Sequence, residues 1–205
     1  MSERKIIMAA KVLSVCFNPF YLPVFGLAML FMFSSMKHMP AIYIAKIMVM
    51  VYLCTVLLPT LLIRRYRRYQ GWSLWELGLR ERRIVPYAIA IMCYCLCFYM
   101  MNMGRVPHFM ISIVVAALVI QVVCAIINLF WKISTHTAAL GGVAGALLVF
   151  SAILRFNPVW WLCVIILLGG MLGTSRMILR QHTLSQVVCG FLLGAVLAFF
   201  AILKF

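Results

Sequence analysis

The apolar positions of this chain fall in long unbroken runs rather than in alternation. Seven runs stand out, at roughly 12–35, 41–63, 84–103, 109–131, 137–154, 158–174 and 186–203. A helix needs about 20 apolar residues to cross the hydrocarbon core of a bilayer. With no water there, each segment must satisfy its own backbone polar groups. Strands of a membrane barrel would alternate with period two, and these runs do not. The pattern predicts an all-α, polytopic transmembrane helical bundle of six to seven spans, a single integral membrane domain over 1–205. Pro19 and Pro23 lie inside the first run and predict a broken or re-entrant helix there. Arg4, Lys5 and Lys11 come before it with no small-residue cleavage site, so the first helix is expected to be retained.

Composition narrows the partners. The chain is 67% hydrophobic and 10% charged, which leaves no room for a soluble module. A net charge of +15 would suggest nucleic acid in a soluble protein. Here the cations sit in short loops between spans, so the expected partners are anionic lipid headgroups and not nucleic acid. Arg64, Arg65, Arg67, Arg68, Arg80, Arg82 and Arg83 cluster in one such stretch and read as a lipid-facing, topology-setting loop. The eight cysteines all lie in apolar runs. Cys93-x-Cys95-x-Cys97 resembles a metal motif, but on a helix its successive members face nearly opposite sides. They read as small apolar residues, with no disulfide framework. His38 and His108 read as structural, Asn128 as a helix–helix hydrogen bond, and Lys46 as a cation near the interface or on a carbonyl.

One residue type is missing. There is no aspartate, and the only glutamates are Glu3, Glu76 and Glu81. Magnesium is usually held by carboxylates together with substrate phosphates. Enzymes that rely on clustered aspartates or paired carboxylates are therefore disfavoured, and neither metal nor cofactor is expected. The chemistry must run on His, Lys, Arg, Ser and Thr, which points to metal-independent handling of an anion.

Two histidines, His136 and His182, are separated by two apolar spans with a turn at Asn157-Pro158. One crossing out and one back returns both to the same face. Lys132 and His136 are four apart and share a face if that stretch is helical. Ser134 or Thr135 can cap the helix that follows, whose start would offer backbone N–H groups and partial positive charge to a phosphate. Arg176 can grip two phosphate oxygens through its planar fork, and Arg180 follows one turn later. Gln186 lies one turn after His182. Gly141 and Gly145, Gly169 and Gly173, and Gly190 and Gly194 repeat the four-residue spacing that lets membrane helices approach closely. The helices bearing the two histidines are thus expected to lie together.

Ser175-Arg176, five residues and His182 resemble the third motif of the type 2 phosphatidic acid phosphatase family, and Ser134-Thr135-His136 resembles its second. The resemblance is strongest over 130–195. It implies that His182 attacks phosphorus to form a phosphohistidine and that His136 protonates the leaving group. Lys132, Ser134, Ser175 and Arg176 would bind the phosphate, and Gln186 would orient the nucleophile. It also implies a bacterial inner-membrane protein, a metal-independent phosphatase acting on a phosphorylated membrane lipid or pyrophosphate. A catalytically impaired lipid binder and a lipid phosphotransferase are the alternatives.

Three departures from the family pattern bear on this. The family's first motif, a lysine followed six residues later by Arg-Pro, is absent; Lys132 could replace its lysine, and the 64–83 arginines or Arg105 its arginine. Ile133 and Thr135 stand where the family has proline and glycine. Gln186 stands where it has an aspartate, so a neutral carbonyl replaces the charge that would stabilise an imidazolium. Topology is in tension as well. The cation count puts the N-terminus, the 64–83 loop and both histidines on the cytoplasmic side, whereas the resemblance implies a site at the outer face.

Overall fold

A computed structural model describes residues 3–33, 39–73, 79 and 81–205. Lys37, His38, Glu76 and Arg80 lie outside the described residues. All regular structure among those described is helical: α1 (Glu3–Cys16), α2 (Leu22–Phe33), α3 (Ala41–Tyr52), α4 (Leu58–Tyr69), α5 (Ile84–Met103), α6 (His108–Phe130), α7 (Thr135–Leu154), α8 (Val159–Ile178) and α9 (Leu184–Lys204). They make seven segments long and apolar enough to cross a membrane, the count expected from the apolar runs.

The first segment is broken, as its prolines require. Asn18 Oδ1 accepts from the Phe20 N–H at 3.1 Å and caps a short 3-10 turn, Pro19–Tyr21. Pro23 then falls in the first turn of α2, where a missing N–H costs nothing. α2 continues toward the start of α6, with Gly26 against the Ile113 side chain, so the segment crosses rather than re-enters. α1 leans on α8, whereas α2 packs on α6, α3 and α7. The second segment stays continuous from α3 to α4 through a π-helical turn at Leu53–Leu57. Pro59 explains that turn: its ring would clash with the carbonyl of Thr55, and one extra residue in the turn relieves the clash.

The core is helix-on-helix packing around Leu27, Tyr94, Met101, Met110, Ile111 and Val114, all nearly inaccessible. α9 shows how such a helix divides its faces. Val187, Gly190, Gly194, Ala198 and Ile202 point inward, while Val188, Leu192, Val196, Phe200 and Leu203 are exposed. Both stripes are apolar, as a helix between protein and lipid requires. Cys93 and Cys97 are buried and Cys95 exposed, so the triplet does face opposite sides. His108 stacks near Phe205, at 5.7 Å between ring centroids. Lys46 is exposed, little more than one turn from the start of α3.

The closest helix pair is α7 with α9. A Cβ on Gly141 or Gly145 would collide with the carbonyls of Phe191 and Ala195, and one on Gly194 with the carbonyl of Ala138. Gly190 presses on the Ser134 carbonyl and Thr137 Oγ1, where a Cβ would come to 2.8 Å from each. The glycine spacing thus brings together the two helices that follow the histidine motifs. Gly169 and Gly173 do less: they make room for the Phe191 and Val187 side chains.

Candidate anion site

The loops before α7 and α9 meet at one end of the bundle, joined by a Ser134 N–H to Gln186 C=O hydrogen bond of 3.4 Å. Ser134 occupies the N-cap position of α7 but makes no capping bond, and its hydroxyl is buried without a partner. Thr137 Oγ1 instead donates to the Ser134 carbonyl at 3.1 Å. No side chain caps the start of α7, which leaves the positive end of its dipole to whatever binds beside it.

α9 begins differently. Thr183 and Gln186 form a reciprocal capping box, and Gln186 Oε1 accepts from the Thr183 N–H at 3.3 Å. The same oxygen lies 3.0 Å from His182 Nδ1. A carbonyl oxygen can only accept, so Nδ1 carries the proton and Nε2 keeps its lone pair. Nε2 is buried and has no partner. Burial pushes His182 down to about 3, with Arg83, Arg176 and Lys132 adding to the effect and the Gln186 bond opposing it. The ring is therefore neutral at physiological pH. Lys132 is also lowered, by burial first and then by Arg83 and Arg176. Among the described residues no carboxylate lines this cluster of cations, a charge pattern that suits a multivalent anion.

Arg176 is anchored at the last turn of α8. Leu179 ends the helix, and Arg180 enters the left-handed region at φ 52°. The N–H groups of Arg180 and Gln181 then close on the carbonyls of Met177 and Arg176 at 2.9 and 3.0 Å, a Schellman-type stop. That turn sets Gln181 beside Arg176 and delivers His182 one residue later. Arg176 Nη2 donates to Gln181 Oε1 and Nη1 to Ser14 Oγ, while Nε has no partner. Ser14 also holds His136 through its backbone. Arg180 itself is exposed.

A polar cavity of about 280 Å3 opens here. His136, Arg176, Arg83, Thr135, Gln121 and Tyr87 are among the residues lining it. His182, Ser134 and Lys132 are not lining residues. His182 and His136 are nonetheless close enough to interact electrostatically. Ser175 is not brought to the cavity: its hydroxyl donates to the Met171 carbonyl at 2.9 Å. Among the 64–83 arginines, Arg64, Arg65 and Arg68 are exposed, Arg82 sits over the Trp72 ring at 4.5 Å, and Arg83 turns into the cavity beside Tyr87. Arg105 is exposed in the turn after α5. Glu81 is exposed and does not line the cavity.

Sequence reasoning left Arg83 undistinguished among seven arginines and missed Ser14, Gln121 and Gln181. Arg83 sits three residues before Pro86, which places it just ahead of a helix start, a weak signal. Ser14 is one hydroxyl in an apolar helix far from either motif and carried no signal.

Among the described residues the chain has seven helices long and apolar enough to cross a membrane, with a histidine-bearing cation pocket at one end of the bundle. Residues 127–205 match the family model of the PAP2 superfamily, a helical membrane family of phosphatase type. The match spans α7, α8 and α9, with His136 and Arg176 on the first two and His182 in the loop before the third. The resemblance read from the two motifs is therefore shown over this part of the chain, and at the coarse level it supports a phosphoester hydrolase. No curated protein and no solved structure matches the chain.

Proposed function

We propose that this protein removes phosphate from a phosphorylated membrane lipid, without a metal, through a phosphohistidine on His182. The observation that carries the reading is His182 itself. Its Nδ1 is held by Gln186, and its Nε2 is buried with a free lone pair beside cations. A neutral imidazole with a fixed tautomer is a nucleophile ready at neutral pH.

The phosphate of the ester would lie among Arg176, Arg83, Lys132, the Ser134 hydroxyl and the start of α7, all positive or hydrogen-donating. Nε2 attacks phosphorus, a P–N bond forms and the P–O bond to the lipid breaks. His136 gives its proton to the leaving alkoxide. A water then attacks phosphorus, His136 takes its proton, the P–N bond breaks and inorganic phosphate leaves. The dianionic substrate supplies the negative charge that lets His136 carry a proton among so many cations. The cations stabilise charge that grows on the equatorial oxygens. Gln186 orients the ring as an aspartate would, but contributes no charge to the imidazolium formed in transit.

The test is phosphate release from a panel of lipid phosphates by purified protein, with EDTA present, wild type beside His182→Ala. Release that survives EDTA and vanishes in the variant is expected. Protein quenched in alkaline detergent should carry a base-stable, acid-labile label from the substrate's phosphorus on His182. No release on any lipid, with phosphorylated lipid still bound, would replace this reading by a non-catalytic lipid binder. Transfer to an added alcohol in preference to water would replace it by a phosphotransferase.

A further inference from the structure

A buried polar atom without a partner costs free energy, so its presence in a fold needs a cause. Ser134 Oγ, Arg176 Nε and His182 Nε2 are such atoms, and all belong to the anion site. The hydroxyl of Tyr87 is another. Tyr87 is 6% exposed and lines the polar cavity from α5. It lies outside the 127–205 segment that matches the family model, and neither histidine motif points to it.

The start of α5 explains the placement. Arg83 holds the N-cap position, and Tyr87, four residues on, shares its helix face. Pro86 and Ala90 line the same cavity, so this end of α5 makes one of its walls. Pro86 fits there because the N–H groups of a first turn have no partner within the helix. The Arg83 guanidinium is near enough to act on the Tyr87 hydroxyl electrostatically, yet the hydroxyl has no hydrogen-bond partner. A cation draws the lone pairs of a phenol oxygen, which leaves its proton free to point elsewhere. The cavity, about 280 Å3, has the volume of roughly nine waters at ~30 Å3 each. A phosphate inside it meets groups from more than one wall.

We propose that Tyr87 is a substrate-binding residue, whose hydroxyl donates a hydrogen bond to a phosphoryl oxygen of the bound ester. The inference rests on the phosphatase reading for the word substrate; the contact with an anion does not need turnover. The empty protein carries the cost of a buried unpaired hydroxyl, and the anion removes it by supplying an acceptor. A neutral donor suits this position. It adds a hydrogen bond to the anion without adding to the repulsion among Arg83, Arg176 and Lys132, which a further cation would do.

The experiment measures binding of inorganic phosphate to the full chain in detergent, from the rise in Tm over a phosphate titration. Tyr87→Phe removes the hydroxyl and keeps the ring. Losing a hydrogen bond to a charged group should weaken phosphate binding roughly tenfold to a hundredfold. Without phosphate the variant should be at least as stable as wild type, because a buried unpaired hydroxyl is gone. Tyr94→Phe, about two turns further along α5 and buried but not lining the polar cavity, should leave phosphate binding unchanged. Equal phosphate affinity in Tyr87→Phe and wild type would overturn the proposal. A lower Tm of the empty Tyr87→Phe protein would also overturn it, by showing that the hydroxyl is bonded within the fold. An equal loss of binding in Tyr94→Phe would do the same, marking a general effect on α5. No phosphate binding by wild type would remove the anion seat and this contact together. Tyr87-dependent phosphate binding with no release from any lipid phosphate would sink the phosphatase reading alone.

Discussion

At the scale of single residues, the site depends on one amide that serves two partners. Gln186 caps α9 and fixes the His182 ring through the same oxygen. Gln186→Ala should lower kcat by about 10-fold to 100-fold by freeing the ring, and cost about 1 kcal/mol of stability through the lost cap. Gln186→Glu keeps the reach and adds charge. A carboxylate beside Nδ1 favours the imidazolium, so His182 should titrate higher and the acid limb of the kcat/KM profile should move to higher pH. An unmoved limb would mean that His182 is not the group being titrated. Arg83→Ala should raise KM at least tenfold with a smaller change in kcat, read by steady-state phosphate release at several substrate concentrations. Equal KM in wild type and variant would remove Arg83 from the anion seat.

At the scale of elements, the site exists because α7 and α9 touch backbone to backbone. Gly194 is the tightest point, facing the Ala138 carbonyl two residues after His136. Gly194→Leu must push the helices apart, which overpacking data put at about 1–3 kcal/mol or more. Thermal unfolding in detergent should show a lower Tm, and phosphate release should fall further than the Tm shift explains, because the segments bearing His136 and His182 separate with the helices. The left-handed Arg180 that ends α8 makes an opposite case. An L-residue there costs about 1 kcal/mol that glycine would not, so Arg180→Gly should raise the Tm with activity retained. A lower Tm would show that the arginine side chain makes a contact worth more than the backbone strain.

At the scale of the whole molecule, burying several cations at one end of the bundle is costly until an anion arrives. Phosphate or vanadate should raise the Tm of the purified protein, and a ligand that binds only the folded state does so in proportion to its occupancy. His182 gives the effect a pH sign. Its folded value is about 3 against an ordinary 6.5, so between those values the unfolded chain binds the extra proton. Stability from this group is complete above about pH 6.5 and is lost as pH falls toward 3. The Tm should therefore drop across that window, less so in His182→Asn and less so with phosphate bound. An identical slope in the variant would assign the pH dependence elsewhere.

What the chain determined by itself was periodicity and adjacency. Continuous apolar runs require helices in lipid, because a barrel strand, the other form that satisfies the backbone there, would alternate, and seven spans followed. The break at Pro19 followed from a ring that cannot continue a helix. The approach of α7 and α9 was legible because glycine at four-residue spacing removes the only atoms that keep two backbones apart. His136, Arg176 and His182 were legible because they sit in short motifs at the ends of those helices. The tertiary structure alone decided which distant side chains meet them. Arg83 reaches the pocket and Arg64 does not, although both are arginines in one basic stretch, because Arg83 leads into α5 at the end where α7 begins. Ser14 holds both Arg176 and His136 because the Pro19 break lets α1 lean on α8. The polar cavity beside them is a space between helices far apart in sequence, and no local pattern encodes the volume that non-neighbouring helices leave unfilled.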